Sequence, residues 1–133
     1  MTGQGGTLVL DSEGLSKVAL DDRRVMSLVR GAQDEDMRVV ASVLTLIEAH
    51  HRRVNQPRFD WVVSRLVVEP VSEAIGRKAM ALLKDAGLHG HKYAIDAVVA
   101  ATALQARRPA MILTSDPEDL ELLCGRDIRI VKV

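Results

Sequence analysis

Short, wholly apolar runs alternate along this chain with longer stretches whose apolar residues recur every three or four positions. The first pattern predicts buried strands, the second amphipathic helices. Residues 7–10 (TLVL) read as a strand, and Asp11-Ser12 opens a helix carrying Leu15, Val18 and Ala19. A second helix is predicted from about residue 21, with Val25, Met26, Leu28 and Val29 on its apolar side and Gly31 as its stop. Residues 37–41 (MRVVA) read as the second strand. Ser42 then caps a helix in which Val43, Leu44 and Ile47 face the core, running into HHRR at 50–53. A short helix over 59–66 precedes a third strand at 66–69. Pro70 stands at the next helix start, a favoured place for proline, and Gly87 ends that helix. Residues 88–92 (LHGHK) read as a loop, 93–107 as an alanine-rich helix and 111–114 as the fourth strand. Ser115-Asp116-Pro117 starts a last short helix, Gly125 stops it, and 128–133 form the final strand.

Strands alternating with helices predict an α/β fold: a three-layer α/β/α sandwich around a mainly parallel sheet of roughly four to five strands. Ligand sites of such sheets lie at the carboxyl ends of the strands. Residues 1–6 (MTGQGG) read as a flexible tail, and 7–133 as a single domain. The length of 133 residues suits one real core.

Composition narrows the picture. A hydrophobic fraction of 47% excludes a disordered chain. Only 2% is aromatic (Phe59, Trp61 and Tyr93), so the core is aliphatic and base-stacking platforms are not expected. The formal net charge of +0 means that any nucleic-acid contact needs a local basic patch. Cys124, the single cysteine, excludes an internal disulfide or a cysteine-based zinc site and reads as core. The start lacks the basic and apolar stretches of a signal peptide, and the most apolar run, AIDAVVAATAL, is too short to span a bilayer. The expectation is a soluble cytoplasmic protein without a membrane partner.

Four carboxylates change the picture most: Asp11, Glu48, Asp96 and Asp116. Asp11 and Asp116 follow strands; Glu48 and Asp96 lie on apolar helices. Each has a plain structural explanation. Asp11 and Asp116 are good helix caps, Glu48 can edge an apolar stripe, and Asp96 in a first turn suits the helix dipole. Together they are harder to explain away. One carboxylate pair about 4 Å apart costs roughly 4 kcal/mol at an effective dielectric near 20. No lysine or arginine occupies a matching buried position in the pattern. Such a cluster spreads, takes up protons or binds a cation, and oxygen-only ligands suit Mg²⁺ or Mn²⁺.

The segments LVLDSEGLSK, SVLTLIEAH, YAIDAVVAATAL and ILTSD, in that order, resemble the PIN-domain pattern, and most closely the VapC-type ribonuclease toxins of toxin–antitoxin pairs. The likeness covers almost the whole chain from Thr7. It implies a metal-dependent endoribonuclease that leaves a 3′-hydroxyl and a 5′-phosphate. By resemblance Asp11, Asp96 and Asp116 are metal ligands, direct or through water. Glu48 orients the attacking water or supports the ligands. Ser12 and Thr114 are supporting hydrogen-bonding groups, and Asp119 joins the site or completes a cap. The resemblance also implies a homodimer and a cognate antitoxin whose basic side chain enters the acidic pocket.

Arg52, Arg53 and Lys92, with Arg107 and Arg108, are candidate phosphate contacts forming a rim. His50, His51, His89 and His91 offer a metal-free acid–base chemistry, but HHRR and HGHK read as exposed helix-end and loop sequence. The alternatives to a nuclease are a catalytically inactive PIN-like domain and a receiver-like α/β domain. The receiver pattern fits poorly, because Glu69-Pro70 stands where a phosphoacceptor aspartate would end the third strand.

Overall fold

A computed structural model describes residues 5–51 and 53–133. Its elements run β1 (Thr7–Leu10), α1 (Ser12–Ala19), α2 (Arg23–Asp34), β2 (Arg38–Ser42), α3 (Val43–Ala49), α4 (Gln56–Ser64), β3 (Val67–Glu69), α5 (Glu73–Ala86), α6 (Gly90–Gln105), β4 (Ala110–Thr114), α7 (Pro117–Cys124) and β5 (Arg129–Lys132). All neighbouring strands pair in parallel, in the order β3-β2-β1-β4-β5. A receiver-like sheet would run 2-1-3-4-5, so that alternative is excluded by topology.

Strand alternation divides the core. Val9, Ala110 and Ile112 pack with α5, α6 and α7, while Leu8, Leu10, Val39 and Leu113 pack with α1, α2 and α4. The result is the expected α/β/α sandwich. As composition required, the core is almost wholly aliphatic, with Phe59 its one buried aromatic among the described residues. Cys124 is buried, and burial pushes its thiol up to about 12, as befits an inert core residue. Among the described residues no helix is long and apolar enough to cross a membrane.

Several boundaries differ from the sequence pattern. Helix α2 continues through Gly31 because Ala32, the next residue, is buried in the core. An exposed helical glycine costs only about 1 kcal/mol against alanine, which that burial offsets. Pro70 lies in the β3–α5 connection rather than in the helix; Ser72 is the cap and accepts from the Ile75 N–H. Helix α6 starts at Gly90, so His91 and Lys92 belong to its first turn and not to a loop.

Part of the expected tail is held. Gly5 and Gly6 are buried, the Gly5 N–H donates to the Glu35 carbonyl, and the Gly6 carbonyl accepts from Arg38 N–H. Gly6 has φ +116°, and a Cβ there would lie 2.5 Å from the Pro109 carbonyl oxygen, so only glycine enters β1 by this path. Residues 1–4 of that tail lie outside the described residues.

Candidate active site

From β1 the chain steps outward to β2 and β3, then crosses to place β4 on the other side of β1. The order therefore reverses between β1 and β4, and their carboxyl ends border the crevice where open α/β sheets bind ligands. Leu10 and Leu113 are register partners facing α1 and α2. The residues that follow them, Asp11 and Thr114, therefore turn toward α6. Helix α6 brings Asp96 to the same crevice.

Asp11 caps α1, its carboxylate accepting from Gly14 N–H at 3.0 Å, while its own N–H donates to the Leu113 carbonyl at 3.2 Å. A Cβ at position 14 would lie 2.9 Å from that same carbonyl oxygen, so Gly14 lets α1 start against β4. Burial raises the Asp11 carboxyl above its ordinary value; hydrogen bonds from the Thr114 hydroxyl and from Gly14 and Glu13 N–H groups oppose the rise.

Asp96 is the seventh residue of α6 (90 to 96), beyond the first turn where the helix dipole would favour it. That removes its structural explanation. Its carboxyl is raised to about 6, first by burial and then by the charges of Asp119, Glu48, Asp11 and Asp116. Asp116 stands at the N-cap of α7 but makes no capping bond; its N–H donates to Thr114 Oγ1 at 3.0 Å. Thr114, buried, thus links the Asp11 carboxylate to the Asp116 backbone N–H. Asp119 is raised by desolvation, then by the charge of Asp116 and a hydrogen bond with it, against the lowering effect of Lys92.

Glu48 is exposed, on a helix turned differently from the sequence reading. Val43 and Ile47 face solvent, and Thr45 and Ala49 are the buried positions of α3. Glu48 nonetheless bears on Asp96, as noted. Ser12 is the half-buried first residue of α1.

The cations divide. Lys92 stands near enough to act on Asp119, a counter-charge the sequence pattern did not reveal. Arg53 instead lines an apolar cleft of about 270 Å³ with Leu20, His51 and Phe59. Arg107 lies at the other end of α6, against Gly5 and the start of β1, and Arg108 follows it, so neither rims the crevice. Arg52 lies outside the described residues. The histidines do not gather here either. His50 Nε2 pairs with Gln56 Oε1 at 2.7 Å, His51 Nδ1 accepts from Arg53 N–H, and His89 and His91 are exposed.

The donor set around Asp96 is all carboxylate, with hard oxygen atoms that suit a divalent cation such as Mg²⁺ or Mn²⁺. Among the described residues no three His, Cys, Asp or Glu side chains form a ready-made ligand cage.

No protein-family model and no curated protein matches the sequence. Solved structures do match its shape. A chain of VapBC2 from Rickettsia felis, solved bound to a DNA fragment from their promoter, superposes with a TM-score of 0.73 at 15% identity, over 96% of this chain and 98% of that one. A chain of VapBC-1 from nontypeable Haemophilus influenzae gives 0.64 at 18% identity, over 95% and 97%. A chain of FitAB bound to the IR36 DNA fragment gives 0.61 at 18% identity, over 95% and 94%. The chain shares the PIN-like fold of these structures. Identities this low speak for architecture alone.

Proposed function

We propose that this PIN-like chain is a metal-dependent endoribonuclease, the toxin of a toxin–antitoxin pair, hydrolysing RNA phosphodiester bonds at a site for Mg²⁺ or Mn²⁺. The observation that carries the reading is Asp96, half-buried at the switch point of the sheet and pressed on by four other carboxylates. Uncompensated like charge opposes folding, and a fold retains it where a positively charged ligand is to be held.

Asp11, Asp96 and Asp116 would hold the ion. When bound, it supplies Lewis-acid stabilisation of a phosphoryl oxygen and a more acidic water. The protein does the rest. Thr114 fixes Asp11 through its hydroxyl and Asp116 through the backbone N–H, so the two strand ends keep one spacing. Glu48, at the exposed rim, accepts a hydrogen bond from the attacking water and orients it. Asp119 supports Asp116 through their hydrogen bond, and Lys92 meets a phosphate oxygen at the mouth. A cognate antitoxin as partner is supported by the toxin–antitoxin complexes among the structural neighbours. A homodimer is proposed from the family resemblance alone. The test is cleavage of single-stranded RNA by the purified protein with Mg²⁺ or Mn²⁺, and again with chelator. Cleavage that survives chelation, or that persists in Asp11→Asn and Asp96→Asn, would overturn the assignment.

A further inference from the structure

Gly5 and Gly6 precede the segments that resemble the PIN-domain pattern, yet both are buried and both have positive φ, +71° and +116°. At Gly6 the backbone of Pro109 leaves no room for a side chain. At Gly5 the obstacle is a charge. A Cβ there would lie 2.7 Å from Cζ, 2.8 Å from Nη2 and 3.1 Å from Nε of Arg107. The guanidinium therefore rests against the Gly5 backbone, which only glycine permits. The Arg107 main chain is held too, its carbonyl accepting from the Thr7 hydroxyl at 2.9 Å.

Arg38 joins it. It is the register partner of Thr7, and its N–H donates to the Gly6 carbonyl. Residues 5–7 thus anchor both arginines at the amino ends of β1 and β2, and both line one cleft of about 370 Å³. Small-molecule sites typically occupy about 300–1,000 Å³. Glu69 is the carboxylate of the lining, and it stands 3.6 Å from Arg38 Nη2, beyond hydrogen-bond length. Among the described residues no carboxylate lies within ion-pair distance of Arg107. The cleft therefore sets two cations against one acid. Val40, Pro70 and Ile75 add apolar wall.

We propose that this cleft binds a small phosphate monoester whose carbon body carries hydroxyl groups. Arg38 and Arg107 hold the phosphate, Glu69 accepts from a ligand hydroxyl, and the body lies on Val40 and Ile75. The three terminal oxygens of a phosphate can take two guanidinium forks at once, whereas one fork fills a carboxylate. Resting on Gly5 pre-organises Arg107, so little freedom is lost when the ligand arrives. The site is independent of the nuclease reading, because its arginines stand at the opposite end of β1 from Asp11.

The test is calorimetric titration of the full chain with ribose 5-phosphate. Chelator is present throughout, so that phosphate is not held through a metal ion at the acidic site. Ribose 5-phosphate should bind saturably at one site per chain, and ribose should not bind. Arg107→Ala should weaken binding about tenfold or more, the loss expected when a charge-assisted hydrogen bond is removed. Arg107→Lys keeps the charge without the fork and should recover only part of that loss. Glu69→Gln should weaken ribose 5-phosphate but not inorganic phosphate, because only the sugar has a hydroxyl for the acid. The Tm of each variant without ligand confirms that it is folded. No saturable binding of ribose 5-phosphate, equal binding by ribose, or unchanged affinity in folded Arg107→Ala overturns the proposal.

Discussion

Two regions beside α6 handle charge in opposite ways. At the carboxyl ends of β1 and β4, Asp11, Glu48, Asp116 and Asp119 all act on Asp96, with Lys92 the counter-charge felt by Asp119. Across β2 and β3 lies a cleft of about 370 Å³ lined by Arg38, Glu69, Gln105 and Arg107. There opposite charges meet: Arg38 pairs with Glu69 at 3.6 Å, and Arg107 is a second cation of the lining. The same scaffold can therefore set acid against base and, at the switch point, gathers acids instead. A gathering of acids in one place, on a fold that sets acid against base elsewhere, is what the proposed ion site would require.

The largest expected effect breaks the acidic region itself. Asp96→Asn and Asp11→Asn each remove a proposed ligand and should reduce Mg²⁺- or Mn²⁺-dependent RNA cleavage by on the order of 10²-fold or more. Gel-resolved cleavage of a single-stranded RNA checks this. Cleavage within a few-fold of the parent would return the region to a set of caps.

Much of this contrast was legible in the sequence, and the illegible parts share a cause. Strand positions, the parallel sheet and the four acids follow from patterns local to each segment. Asp116 was named with the site, but SDPED reads equally well as a cap, and only the fold shows that its side chain makes no capping bond. The buried position of Thr45 was masked by Val43 and Ile47, which look like core and face solvent. Lys92 was named as a phosphate contact, but its action on Asp119 was hidden by the early start of α6, which moves it from a loop onto the first helical turn. In each case the deciding fact is a helix rotation or a helix start, which short-range pattern fixes poorly because a shift of one residue turns a helix by about 100°.

Ion binding sharpens the comparison from the other side. At neutral pH, Mn²⁺ at about a hundredfold over its dissociation constant should stabilise the parent by about 2.7 kcal/mol, read as a rise in Tm. The rise should shrink as pH falls through about 6, where Asp96 takes up its proton. Asp96→Asn should lose most of it at every pH. A parent whose Tm ignores the ion would leave the acids with no cationic ligand.

The acid–base behaviour of the ion-free protein gives a smaller effect of defined sign. Asp96 holds its proton more tightly in the folded chain, with a value raised from 3.8 to about 6, than in the unfolded chain. Between those values the folded state binds more protons, so stability falls as pH rises and the loss is complete above about 6. Asp96→Asn removes that slope. At pH 7 the variant should be more stable than the ion-free parent by about 1 kcal/mol, a figure reduced for solvent screening of a half-exposed group. Below about pH 4 the two should converge, and urea melts at a series of pH values check both ends.

The mixed-charge cleft supplies the smallest effect and the control. Arg38 and Glu69 are 55% and 37% exposed, so their ion pair is a surface pair. Such pairs contribute at most about 1 kcal/mol and fade with salt. Arg38→Ala and Glu69→Gln should each lower stability by less than about 1 kcal/mol, with a difference that shrinks in high salt. Neither should change RNA cleavage or its ion dependence, because both charges lie outside the group acting on Asp96. If Glu69→Gln instead altered Mn²⁺ affinity as Asp96→Asn does, the two regions would be one electrostatic unit, and the opposition between the mixed-charge cleft and the acidic site would fail.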